Sequence, residues 1–210
     1  MPLMEECYYI VFKDYKFSDY NNSINASEST SNRDWEYEKL DFGAEALSFY
    51  SKNDNFDFLN SECLILFDSP NFIVDENLKK LMESGLYGSQ FYPAVIRDKI
   101  NNKIIKDDLW ALNTFDTLDC LDIDRSEVYL PEDGSTHIGG IRVLPDVYSY
   151  RFNSKLMNEI AENERLIFQM GGATTNEIFI HEKLVNILKK MKVKGVNFFK
   201  VGDYKAGDEF

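Results

Sequence analysis

Two stretches of the chain repeat one order of apolar and polar positions. FIVDENLKKLMESGLYGSQFYPAV runs from Phe72 to Val95, and IFIHEKLVNILKKMKVKGVNFFKV from Ile178 to Val201. In each, three apolar residues of strand character lead into a polar one, Asp75 or His181, and then into Glu76 or Glu182. Leu78, Leu81 and Met82 are answered by Leu184, Ile187 and Leu188, the spacing of one buried helical stripe. After a one-residue slip, Gly88 coincides with Gly195 and Phe91 with Phe198. Each unit is expected to be a strand, a helix, a glycine-marked exit and a second strand. Asp75 suits the N-cap, because its carboxylate can accept from the orphan amides of the first turn. His181 is a poorer cap. Lys189, Lys190, Lys192 and Lys194 close the second helix where cations complement its dipole.

Outside these units the pattern predicts shorter pieces. The first twelve or so residues, rich in Tyr, Ile, Val and Phe, read as a strand. Ser18 to Asp34 is polar, lacks periodicity and reads as a long loop. A short helix is expected near Phe42 to Tyr50. EDGSTHIGGIRVL offers a turn around Asp133 and Gly134, with HIGGIRVL as a glycine-weakened strand. RLIFQMGGATTNEIFI reads as two strands joined at Gly171 and Gly172. Together these give an α+β fold, mainly antiparallel strands with a few helices and a duplicated strand-helix-strand unit. The expected organisation is an N-terminal strand, loop and short helix over 1–62 packed on a main domain over 63–204, with a tail at 205–210.

Composition narrows what such a fold could do. The chain has 210 residues, 44% of them hydrophobic, with 12 Tyr and 16 Phe, enough to bury a substantial core. A net charge of −13 repels phosphates and argues against nucleic acid or an anionic membrane as the main partner. No stretch has the length of a membrane span. MPLMEECYYIVFKDY lacks a secretory signal, since Glu5 and Glu6 stand in place of a basic region. Cys7, Cys63 and Cys120 are odd in number and scattered, which fits reduced thiols in a cytoplasm. The Asn-x-Ser triplets at Asn21 and Asn25 are then chance matches.

The acids concentrate in WALNTFDTLDCLDIDRSEVYLPED, Trp110 to Asp133, which carries seven carboxylates and one cation, Arg125. Asp119 and Asp122 would share a face if the segment were helical, so a carboxylate-dependent hydrolase or metal-dependent nuclease is one reading. The chain gives that reading little else. With only His137 and His181 and no Cys-x-x-Cys there is no multi-histidine or thiolate zinc set. Gly-x-Ser-x-Gly, Gly-x-Gly-x-x-Gly and phosphate-loop patterns are absent, and no lysine lies near the aspartates. The residues therefore imply no catalytic group, no metal and no cofactor. An acidic run is more often a solvated face, and an acidic protein-binding scaffold is a third reading. Trp110, Leu112 and Phe115 are simplest as core, and Cys120 as a small buried hydrophobe.

The segment LWALNTFDTLDCLDIDRSE, followed by hairpin strands and then LIFQMGGATTNEIFIHEKLVNILKKMKVKGVNFFKV, resembles the predicted immunity proteins of bacterial polymorphic-toxin systems, in particular immunity family eleven. Asn113, Asp119, Cys120, Leu121, Asp122 and Ser126 match its first signature. Phe168, Glu177 to Leu184, Gly195, Val196, Phe198 and Val201 match the rest. Gln169 stands where the family has Arg, which removes a partner for the aspartates, and His181 stands where it has Ser. The resemblance covers about Leu64 to Val201.

That resemblance implies a cytoplasmic protein that binds and neutralises a cognate antibacterial toxin by occlusion, without chemistry of its own. It also divides the acids. Asn113, Asp119, Asp122 and Ser126 belong to a signature shared by proteins facing different toxins, which implies a structural duty. Asp124, Glu127, Glu132 and Asp133 lie beyond the signature core and are the candidates for toxin contact.

Overall fold

The computed structural model describes residues 3–16, 24–33, 37–51, 56–68, 71–130, 137–138 and 141–210. The first half contains β1 (Tyr8–Lys13), β2 (Ile24–Ala26), α1 (Glu28–Ser31), β3 (Leu47–Ser51), β4 (Leu66–Asp68), β5 (Asn71–Asp75), α2 (Glu76–Met82), β6 (Ser89–Arg97) and β7 (Ile104–Thr114). The second contains β8 (Glu127–Tyr129), β9 (His137–Ile138), β10 (Ile141–Arg142), β11 (Asp146–Ser149), α3 (Ser154–Glu159), β12 (Ile167–Gln169), β13 (Ile178–His181), α4 (Glu182–Lys190) and β14 (Val196–Lys200). One sheet runs β2-β3-β6-β7-β5-β4 and another β12-β13-β1-β14, with β8 pairing β11 and β9 pairing β10 in two small ribbons. Among the described residues these strand pairs are antiparallel except β3 with β6. The fold is α+β.

The sequence echo is a topological echo. β5-α2-β6 flanks β7, which runs antiparallel to both strands; β13-α4-β14 flanks β1 in the same way. Ala111 thus faces Ile73 on one side and Tyr92 on the other, and Ile10 faces Phe179 and Phe199. In the first unit the central strand follows the pair; in the second it comes from the other end of the chain. The helices start as their caps dictate. Asp75 Oδ1 accepts the Leu78 N–H at 2.9 Å, and His181 Nδ1 accepts the Lys183 N–H at 3.2 Å. Each exit turns at a glycine in the left-handed region, Gly88 at φ +57° and Gly195 at φ +87°, where a side chain would be strained.

Strand alternation separates three packed layers. Phe72 and Val74 point into the layer between the two sheets, where they meet Ile178 and Ile180 and the apolar sides of both helices: Leu78, Met82, Leu184, Val185 and Leu188. Ile73 points the other way, to Phe49, Tyr92 and Ala111. Phe179 likewise points away from its neighbours, into an aromatic layer with Tyr8, Phe152 and Phe168. There Phe168 stacks on Phe179 with centroids 5.3 Å apart, and Phe152 meets Phe179 edge-on at 5.5 Å, both favourable ring arrangements.

Four expectations need correction. Leu47 to Ser51 is a strand, not the end of a helix from Phe42, because the buried Leu47 and Phe49 alternate along the parallel ladder with β6. Ser18 to Asp34 is not all loop: β2 extends the large sheet, and Ser27 caps α1 by accepting the Thr30 N–H at 3.2 Å. His137–Ile138 (β9) pairs antiparallel with Ile141–Arg142 (β10), so the stretch expected as one strand holds two; the turn expected at Asp133 and Gly134 lies outside the described residues. The stripe on α4 is narrower than its spacing implied, since Ile187 is exposed and Val185 takes the buried position.

Candidate functional site

The signature segment connects the two sheets. Asn113, at the end of β7, is fully buried. Its Oδ1 accepts from Gln90 Nε2 at 2.8 Å and from the Leu40 N–H at 3.4 Å, while its Nδ2 donates to the Glu38 carbonyl at 3.0 Å. One carboxamide therefore ties the 38–40 stretch to the large sheet, which requires both a donor and an acceptor at one position. Beyond β7 the chain is held from both sides. The Phe115 and Asp116 N–H groups donate to the Gly88 carbonyl at 2.8 and 2.9 Å, and the Leu118 N–H to the Gln169 carbonyl at 2.9 Å.

Residues 115–126 are not helical, so Asp119 and Asp122 do not share a helix face and that part of the hydrolase reading is overturned. Asp119 is exposed. Asp122 is half-buried; its Oδ1 accepts the Arg125 N–H at 3.3 Å, and its Oδ2 lies 3.7 Å from the Arg125 guanidinium. It braces a turn, with its carbonyl accepting the Ser126 N–H at 2.9 Å. Ser126 secures the next link, its Oγ accepting the Arg151 N–H at 2.9 Å. Cys120 between the aspartates is buried among Tyr8, Phe152 and Met170, and burial pushes its thiol up to about 12, leaving it a hydrophobe rather than a nucleophile.

Sequence reasoning missed the residue that anchors this turn. Glu5, placed in the N-terminal stretch only as an acid where a basic region would stand, is 2% exposed, accepts the Phe152 N–H at 3.0 Å and faces Arg125 at 3.4 Å. Arg125 thus joins Asp122 to Glu5. No local signal connects Glu5 with position 125; only the placement of β1 in the middle of the small sheet brings them together. Gln169, at the position where arginine was expected, is buried, and its Nε2 donates to the Asn176 carbonyl at 2.8 Å, bracing the β12–β13 connection. His181 is buried as well, and burial depresses its imidazole.

The outer acids divide by what the structure describes. Asp124 and Glu127 are exposed, on the braced turn and at the start of β8. Glu132 and Asp133 lie outside the described residues. Among the described residues, no group of three or more His, Cys, Asp or Glu is arranged to hold a metal ion. None of their helices is long and apolar enough to cross a membrane.

Comparison with known proteins gives the class. The model of the immunity protein family Imm11 matches residues 46–203, most of the chain, and the chain belongs to that family. The match begins earlier than the resemblance read from sequence, taking in β3 as well. No curated protein matches the chain.

Proposed function

We propose that this immunity-family protein binds a cognate antibacterial toxin in the cytoplasm and neutralises it by occlusion, with no chemistry and no cofactor of its own. The observation that carries the reading is the family match over residues 46–203. The net charge of −13 supports it, because a negative field speeds encounter with a basic protein and repels nucleic acid and anionic lipid.

In this reading the signature residues Asn113, Asp119, Asp122 and Ser126 hold the segment, and contact with the toxin falls to Asp124 and Glu127 on its surface. Glu132 and Asp133 join them on the strength of sequence position alone. The braced turn favours such a role, since a carboxylate presented from fixed backbone loses little freedom on binding. Co-expression with the cognate toxin, sought among the products of neighbouring genes, tests the reading. Growth should be rescued by the wild-type chain, and rescue should fail when Asp124, Glu127, Glu132 and Asp133 are all neutralised. A rescue that survives that variant at every expression level removes the outer acids from the interface.

A further inference from the structure

A cleft of about 200 Å³ opens where the two sheets meet, and none of the roles above uses it. Asn71 at the head of β5, Thr114 at the end of β7, Asp116, Thr117, Gln169 and Tyr37 line it. Pockets for drug-sized ligands run from roughly 300 to 1,000 Å³, so this one is scaled to a single side chain.

Among the described residues, two acceptors on its walls lack a donor. Asn71 is 2% exposed, and its Oδ1 is, among the described residues, the one buried side-chain polar atom with no hydrogen-bond partner. A buried acceptor left without a donor is costly, and in a native fold it calls for a reason. Asp116 is exposed, and no cation pairs with its carboxylate among the described residues. The Thr114 hydroxyl is shared with Ser89 Oγ at 3.1 Å, and the Gln169 amide nitrogen is committed to Asn176. Lys39 near this wall lies over the Phe115 ring, 5.4 Å from the centroid.

The wall carrying the carboxylate is also built rather than loose. The Gly88 carbonyl accepts two successive N–H groups from 115–116, and a Cβ on Gly88 would drive into the Asp116 carbonyl. On the far side a Cβ on Gly171 would come within 2.6 Å of Thr117 Oγ1. Two glycines let the segment close between the sheets, fixing where Asp116 stands relative to Asn71.

We propose that this cleft receives an arginine side chain of the toxin, with the guanidinium donating to Asn71 Oδ1 and pairing with Asp116. The inference rests on the immunity reading and gives it a specific contact. A guanidinium is planar and carries five N–H donors in a fixed fork, so one group can serve acceptors on two walls. An ammonium is a point charge that cannot span them in the same way.

The test titrates the isotope-labelled full chain with Nα-acetyl-arginine amide, with the citrulline and lysine analogues as controls, and follows backbone and carboxamide resonances. The arginine probe should give saturable shifts at the Asn71 carboxamide and the Asp116 and Thr117 amides. The citrulline and lysine probes should bind at least about tenfold more weakly, and Asp116→Asn, an exposed change that leaves the fold alone, should weaken the arginine probe by about tenfold. Shifts scattered over the acidic surface, equal affinity for citrulline or lysine, or indifference to Asp116→Asn would each overturn the proposal. The cognate toxin separates the two readings. A complex that forms with undiminished affinity in Asp116→Asn sinks the cleft and spares the immunity reading. No complex with the wild type, despite arginine binding, sinks the immunity reading and the toxin as the source of the arginine.

Discussion

The carboxylate of Glu5 accepts the backbone N–H of Phe152 at 3.0 Å, across 147 positions of sequence, and faces the guanidinium of Arg125 at 3.4 Å. This contact fastens the residues just before β1 to the turn within the signature segment. Replacing Glu5 by Ala leaves a buried amide unpaired and removes a partner from Arg125, at an expected cost of roughly 1–3 kcal/mol. For a chain of this size each kcal/mol lowers Tm by roughly 2–4 °C. Glu5→Gln retains an acceptor for Phe152 and should recover part of the loss. Thermal melts of both variants check this, and equal stability of Glu5→Ala and wild type would remove Glu5 from the account.

Gly88 closes the first unit as Gly195 closes the second. A Cβ at Gly88 would be strained at φ +57° and would also strike the Asp116 carbonyl. Gly88→Ala should therefore cost more than the roughly 1–3 kcal/mol of a strained backbone alone. Gly43→Ala, also at positive φ but with open space around it, should show the backbone term only. Denaturant titration reads both losses; a Gly88→Ala loss no larger than backbone strain alone would mean the collision is relieved freely.

Glu177 gives the fold a pH dependence. Burial first, and then the Glu209 carboxylate, push its carboxyl up to about 7 from an ordinary value of 4.5. The folded chain therefore holds a proton that the unfolded chain has released between those values, so stability falls as pH rises from about 4.5 to about 7. Glu177→Gln should flatten that decline and raise stability at pH above 7, where the wild type carries the half-buried charge. A set of melts across the window reads the slope, and an unchanged slope in the variant would place the titration elsewhere.

The parts of the fold legible in the sequence were those written in local periodicity. The echo of Phe72–Val95 in Ile178–Val201 was visible because each helix keeps its apolar stripe and each exit its glycine. What completes each unit was not, because β7 and β1 enter from outside the repeats, and pairing between distant strands leaves no local trace. Leu47 to Ser51 misled because a short apolar stretch suits a helix as well as a strand until its neighbour β6 is known. In the segment from Asn113 to Ser126, the structural bonds of Asn113, Asp122 and Ser126 follow residue types suited to turns and caps. Glu5 and Asn71 carried no signal, since a buried carboxylate or carboxamide has the same sequence appearance as a solvated one.

Asp124 and Glu127 are exposed, so neutralising them should leave Tm nearly unchanged, within about 0.5 kcal/mol of stability. Their loss should instead slow association with the toxin and flatten its salt dependence. Stopped-flow association at several ionic strengths reads both effects. A change confined to dissociation, with association untouched at low salt, would contradict a steering role.

The central claim is that protection comes from occupancy and not from chemistry, and a titration of toxin activity with purified chain tests it most directly. Toxin activity should fall linearly with added chain and vanish near molar equivalence, with a stable complex recovered intact. Progressive loss of activity at a small fraction of equivalence, continuing with time and leaving the toxin or its target altered, would contradict the account and make this protein an enzyme.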